Sequence, residues 1–227
     1  MISPKIQSAG ECMICRKVVE KSQMMRHLKS CVEKNTENPE GKSAQLFHVF
    51  VEGRYLPMYW LHLEITGALT LEQLDSFLRD IWLECCGHLS AFKIEDQRYA
   101  SLPAEESMWG LQEKTMRGKI YNILKPGLRF THEYDYGSTT ELALKVIRVR
   151  KGAIPKGGVR LLARNQAPEI SCVMCGKPAT KICSLCRYEG DPWFCDDCAP
   201  KHDCEAEGEA FLPVVNSPRV GVCGYCG

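Results

Sequence analysis

Residues Cys172–Cys204 read CVMCGKPATKICSLCRYEGDPWFCDDCAPKHDC. Three Cys-x-x-Cys pairs, Cys172/Cys175, Cys183/Cys186 and Cys195/Cys198, are followed by His202 and Cys204. A thiolate pair at this spacing grips one metal from a tight turn, and a closed tetrahedral zinc site takes two such pairs or a pair with a Cys/His partner. The alternation of pairs predicts a cross-brace, with Cys172, Cys175, Cys195 and Cys198 on one ion and Cys183, Cys186, His202 and Cys204 on the other. The closing pair Cys223/Cys226 either replaces His202/Cys204 in the second site or stands as a spare knuckle. The competing reading is a disulfide framework, which a chain long enough to bury a real core does not need.

Working outward, the 227 residues are 44% hydrophobic and 25% charged, an ordinary globular composition apart from 14 cysteines. All but Cys85 and Cys86 lie at ligand spacing, and those two are expected to be buried thiols at the end of a helix. The first residues carry no apolar leader and no stretch is long and apolar enough to span a bilayer, so the expected setting is reducing and cytoplasmic, away from membranes. Net charge is +1 but uneven: residues 1–34 hold seven Lys/Arg against three Asp/Glu, and residues 165–227 five against nine. Binding to nucleic acid rests largely on neutralising phosphates, so the first segment is where such a contact is expected. The acidic last segment suits a protein partner instead.

The stretch Cys12-x2-Cys15-x11-His27-x3-Cys31 predicts a ββα finger: a knuckle, then a helix beginning near Ser22 that presents His27 and Cys31 on one face. So small a unit cannot fold by burial alone, and its metal would hold it. With the C-terminal sites this makes about three zinc ions per chain. The spacing resembles that of ubiquitin-binding CCHC fingers, which end His-Leu-Asp-x-Cys; Lys29 stands where those carry an acid, which argues against ubiquitin. Arg16, Lys17, Lys21, Arg26 and Lys29, with Lys34, either line a phosphate-facing surface or simply keep a small domain soluble.

Residues 35–44 are a polar, Pro- and Gly-containing linker. Residues 45–164 form the largest unit, and 165–227 the cysteine-rich module. Within the large unit, strands are expected over Leu46–Val51 and Met58–Thr66. In the second, Tyr59, Leu61, Leu63 and Ile65 face a core while Trp60, His62 and Glu64 face a half-exposed side. Thr70-x-x-Gln73 is a capping box opening an amphipathic helix. A further strand over Leu89–Ile94, a helix over Leu111–Leu124, a hairpin of Arg129–Tyr136 with Thr140–Arg150, and a last strand over Val159–Ala163 complete the unit. The fold class is therefore α+β, a mostly antiparallel sheet with one main packed helix, β-grasp-like, flanked by small zinc-stabilised modules.

Phe47 to Glu52, Trp60-x-x-x-Glu64 with Gly67, Gly87-His88-Leu89-x-x-Phe92 and Tyr134-Asp135-Tyr136-Gly137 resemble the plasmid pRiA4b ORF-3-like domain. Members of that family carry the label of insertion-element passenger TnpR proteins, and the closing LPVVNSPRVGVCGYCG also looks like their longer members. The resemblance implies an α+β domain and a mobile-element setting, with no assigned chemistry. The nucleophile-and-arginine sets of serine or tyrosine recombination are not found, and the run Arg148, Arg150, Lys151, Lys156, Arg160, Arg164 reads as a solvated sheet edge. Two functions remain. One is a binding or adaptor protein with structural zinc, touching nucleic acid or an acidic partner through the finger. The other is a metal-dependent or recombination-associated enzyme with a polar site around His62, Glu64, His132 and Asp135 on the central sheet, which requires those groups to converge in one cleft.

Overall fold

The computed structural model describes residues 8–35, 43–103, 112–188, 190–203 and 210–227. The chain opens with β1 (Ala9–Cys12), β2 (Val18–Glu20) and helix α1 (Lys21–Asn35). Strands β3 (Ser43–Gly53) and β4 (Trp60–Thr66) follow, then α2 (Leu71–Leu78), which runs into a π turn at Arg79–Leu83. Next come β5 (Ser90–Ile94), β6 (Gln97–Ala100), β7 (Lys114–Thr115) and the single turn α3 (Ile120–Ile123). Strands β8 (Arg129–Tyr134), β9 (Thr140–Ala153) and β10 (Val159–Asn165) close the large unit. The cysteine-rich module holds β11 (Lys181–Cys183), β12 (Trp193–Phe194) and β13 (Phe211–Pro213).

The architecture is α+β. One sheet of ten strands runs β2-β1-β10-β4-β3-β9-β8-β5-β6-β7, and the three C-terminal strands make a second, smaller sheet. Pairing in the large sheet is antiparallel except between β6 and β7. Its core lies on the face covered by α2, where Leu71, Leu74, Leu78 and Trp82 meet Val49 and Val51 of β3, Leu61 and Leu63 of β4, and Leu142 and Leu144 of β9. The capping box is formed: Thr70 accepts from the Gln73 amide, and the Gln73 side chain takes the Thr70 amide.

Two expectations fail here. All seven residues of β4 are buried, so Trp60, His62 and Glu64 are not half-exposed. The cause is the N-terminal finger, whose Met24, Leu28 and Val32 pack on Trp60 and Leu162 to make a second core. Strand β1 pairs with β10, Cys12 opposite Ala163, so the finger and the large unit share one sheet. Trp60 donates through Nε1 to Ser8 Oγ at 2.7 Å, and a Cβ at Gly10 would sit 2.3 Å from its ring.

The expected helix over Leu111–Leu124 reduces to Ile120–Ile123; Leu111 lies outside the described residues. The segment spends its backbone on α2 instead. The amides of Leu71 and Glu72 donate to the carbonyls of Gly118 and Met116, filling donors that a helix start leaves open.

Candidate metal centres

Among the described residues, four groups of Cys and His bring their ligand atoms within 4.8 Å of one another. A tetrahedron with zinc–sulfur bonds of about 2.3 Å and zinc–nitrogen bonds of about 2.0 Å has sulfur–sulfur edges of about 3.8 Å and sulfur–nitrogen edges of about 3.5 Å, the scale against which each group is compared.

In the finger, β1 ends on Cys12, the knuckle supplies Cys15, and α1 presents His27 and Cys31 one turn apart. Cys12 Sγ lies 3.9 Å from Cys31 Sγ, and Cys15 Sγ 3.4 Å from His27 Nε2. Arg16 takes a left-handed backbone, φ 63°, which closes the knuckle and lets its amide donate to the Cys12 carbonyl at 2.8 Å. The Lys17 amide holds the Cys15 thiol below its usual range, while burial and the neighbouring thiols push Cys31 up to about 12. A cation among such thiols removes the conflict, since a coordinating thiol is deprotonated outright.

The cysteine-rich module divides into two groups. Cys172, Cys175, Cys195 and Cys198 come together, with Cys175 Sγ 3.6 Å from Cys195 Sγ. Burial opposes ionisation of Cys172, but the amides of Cys195, Met174 and Cys175 outweigh it and bring the thiol to about 6. Cys198, beside the Cys195 thiol and buried, is pushed up to about 12. The second group is Cys183, Cys186 and His202, with Cys186 Sγ 3.3 Å from His202 Nε2 and the imidazole resting on Phe194 at 4.3 Å between centroids. Cys204, expected as its fourth ligand, lies outside the described residues.

The fourth group was not foreseen. Cys85 and Cys86, expected as buried thiols, are half-buried and exposed, and they meet His88 and Cys223. The Cys223/Cys226 pair is thereby split: Cys226 is exposed, contacts the Gly224 carbonyl at 3.2 Å and joins no group among the described residues. No local spacing announces a site whose ligands stand 135 residues apart in sequence; the Gly87-His88 pair and the tail Cys were legible only as separate motifs.

The polar residues of the enzymatic reading do not converge. His62 Nδ1 sits 2.8 Å from His48 Nε2 on the finger side of the sheet, where Glu64 is held by Arg150 and Arg160. His132 is on the opposite face, its Nε2 2.6 Å from Asp75 Oδ1 of α2. Asp135 accepts from Arg219 at 2.8 Å beside His88. Ion pairs and burial account for each.

Among the proposed phosphate contacts, Lys17, Arg26 and Lys29 are exposed, as is Arg16, which pairs with Glu11 at 3.1 Å. Lys21 is engaged: its Nζ lies 2.6 Å from both Glu52 and the Pro57 carbonyl, and stands over the Phe50 ring. Lys34 is exposed at the last turn of α1.

Among the described residues no helix is long and apolar enough to cross a membrane. No family model matches the chain, and no curated protein matches it. Among solved structures it is similar to a protein of unknown function, MM3350, from Methanosarcina mazei Go1. That match is 13% identical with a TM-score of 0.42, and covers 48% of this chain and 64% of that one.

Proposed function

We propose that the protein is a zinc-stabilised binding protein that engages nucleic acid through its basic finger and the sheet face beside it. Zinc fits the Cys-rich sets in the finger and the cysteine-rich module. Cys12/Cys15/His27/Cys31 and Cys172/Cys175/Cys195/Cys198 each bring four ligands together with buried thiols and tetrahedral-edge distances, the pattern of closed structural sites rather than of a catalytic ion with an open position, and Cys183, Cys186 and His202 supply three ligands of a further set. The resemblance of the central unit to the pRiA4b ORF-3-like family supports a mobile-element setting.

The observation that carries the reading is a pair of like charges. Arg129 and Lys145 are direct cross-strand partners on the sheet face away from α2, and Lys93 lies on the neighbouring strand of that face. None of the three has an ion-pair partner among the described residues. Like charges set opposite one another cost stability, and an anion between them reverses that cost. Lys145 is in turn opposite Phe50, under Lys21 at the start of the finger helix, so the two basic regions adjoin.

Fluorescence anisotropy of a labelled DNA duplex and a labelled single strand, between about 50 and 200 mM salt, tests this. R26A/K29A and R129A/K145A should each weaken the complex and flatten its salt dependence by about 0.9 in log–log slope for every phosphate contact removed. Absence of a complex at the lowest salt, or variants indistinguishable from wild type, would overturn it.

A further inference from the structure

Four residues from remote parts of the chain meet at one point of the fold. Cys85 and Cys86 follow the π turn after α2, His88 precedes β5, and Cys223 belongs to the C-terminal segment. Cys86 Sγ lies 3.0 Å from His88 Nε2, 3.5 Å from Cys85 Sγ and 3.6 Å from Cys223 Sγ, and His88 Nε2 lies 3.2 Å from Cys223 Sγ. We propose that these four side chains hold one further metal ion of the zinc class, and that this ion clasps the C-terminal segment to the central sheet. The identity of the ion rests on the zinc reading of the other three groups; the site itself rests on its own geometry.

The surroundings are those of a built site. Arg219 has no exposed surface; its Nη2 donates to Cys85 Sγ at 3.3 Å and to Asp135 Oδ2 at 2.8 Å, while Nη1 donates to Thr140 Oγ1 at 3.1 Å. Three thiolates around a dication leave one negative charge, and a guanidinium donating to one sulfur is the partner that charge requires. Asp135 Oδ2 also stands 3.6 Å from His88 Nε2. Tyr134 accepts from the His88 amide at 3.3 Å and donates to Glu84 at 3.0 Å, and Glu84 takes the Gly87 amide at 2.6 Å, so the ligand loop is fixed from below. The backbone turns sharply at both approaches: Gly87 has φ 74° and Cys223 φ 51°, a conformation that costs a non-glycine residue energy.

Position sets this group apart. Cys86 and Cys223 are both exposed, whereas Cys12 and Cys31 of the finger and Cys183 are buried, and of Cys172, Cys175, Cys195 and Cys198 Cys175 alone is exposed. A ligand pair open to solvent releases its ion to a competitor first. The clasp is therefore the exchangeable member of the set, and it fastens a segment that also hydrogen-bonds to the core through Ser217 Oγ and the Trp82 carbonyl at 2.6 Å.

Native mass spectrometry of the full chain, purified without chelator, is expected to show four ions in wild type, three in C86S/C223S and four in C226S. In wild type, a limiting amount of the chromogenic chelator 4-(2-pyridylazo)resorcinol should withdraw one equivalent first. Cys86 and Cys223 should become open to iodoacetamide in the same interval, with Cys12 and Cys172 still protected. An unchanged count in the double variant, a Cys85–Cys86 disulfide in fresh protein, or immediate alkylation of Cys86 and Cys223 with three ions still bound would overturn the clasp and leave the other sites standing. Fewer than three ions in wild type, with one still lost in the double variant, would support the clasp and overturn the zinc reading of the other groups.

Discussion

His62 and His48 form a hydrogen-bonded pair, 2.8 Å between Nδ1 and Nε2, sealed between the finger and the sheet. One ring must donate and the other accept, so the pair is built for neutral imidazoles. Burial is the main cause that takes His48 down to about 4 and His62 to about 3 from an ordinary 6.5; nearby Arg148 adds to it for His48, and His48 itself for His62. Both bases bind protons more weakly folded than unfolded. Stability is then complete above about pH 6.5 and falls as the unfolded chain takes up protons that the native state refuses, by roughly 1.4 kcal/mol per pH unit for each histidine down to about pH 4. Glu64 adds to the same trend lower down. Its burial favours the neutral acid, but Arg150 and Arg160 overcome this and lower its pKa, so its stabilisation is lost as pH falls through the folded value. Urea midpoints measured between pH 6.5 and 4.5 should separate the histidine effect from acid release of metal. His62→Gln, which keeps a polar partner for His48, should lose stability less steeply than wild type by about 1.4 kcal/mol per pH unit. Parallel curves for the two proteins would mean that the pair does not stay neutral.

At the scale of elements, the docking of β1 and α1 onto the sheet depends on a close approach that only glycine allows. A Cβ at Gly10 would lie 2.3 Å from the Trp60 ring and 2.5 Å from the Arg164 carbonyl, and neither can retreat, since Trp60 is fully buried and β10 is paired on both sides. Gly10→Ala should cost about 1–3 kcal/mol and red-shift tryptophan emission as Trp60 loosens. An unchanged melting temperature and emission would show that the finger rests on its metal alone. The sequence displayed both halves of this contact without their meeting. Alternation along β4 marked Leu61, Leu63 and Ile65 as core, and the capping box at Thr70 and Gln73 placed α2, because those signals are local. The second buried face of β4 was illegible because it is created by a partner some 50 residues away, joined through Ser8 and Gly10 to Trp60. The 111–124 segment misled for the mirror reason. Its apolar spacing suits a helix, but Met116 and Ile120 are buried against α2 and its carbonyls serve that helix's first amides. The same division runs through the metal groups: Cys-x-x-Cys knuckles are local and were legible, whereas Cys85, Cys86, His88 and Cys223 are united only by the fold.

For the whole molecule, the supports are unequal, and that inequality decides what chelation does. The central sheet owns a continuous core around Val49, Leu61, Leu63, Leu142 and Leu144 under α2 and Trp82; among the described residues its buried members include no candidate ligand, and Cys85 packs against it from the side. The finger has two supports, its Cys12/Cys15/His27/Cys31 group and the Trp60 core. The cysteine-rich module has strands of two or three residues, and its small cluster consists largely of candidate ligands, Cys172, Cys183, Cys195 and Cys198 around Phe194. Short strands with so little apolar material do not hold by burial, and metal binding there is folding free energy. Excess 1,10-phenanthroline should therefore dismantle the chain in order. Once the exposed Cys85/Cys86/His88/Cys223 clasp has released its ion, amide exchange protection should vanish first at β11, β12 and β13, weaken in α1, and persist in β3, β4, β9 and α2. The remaining protein should still melt cooperatively, at a lower temperature because Ile182 and Val220 leave the main core. Restoring zinc should restore protection in β11–β13. Simultaneous loss of protection in all of these strands on chelation would mean that the central sheet, too, depends on metal, and would refute this division of labour.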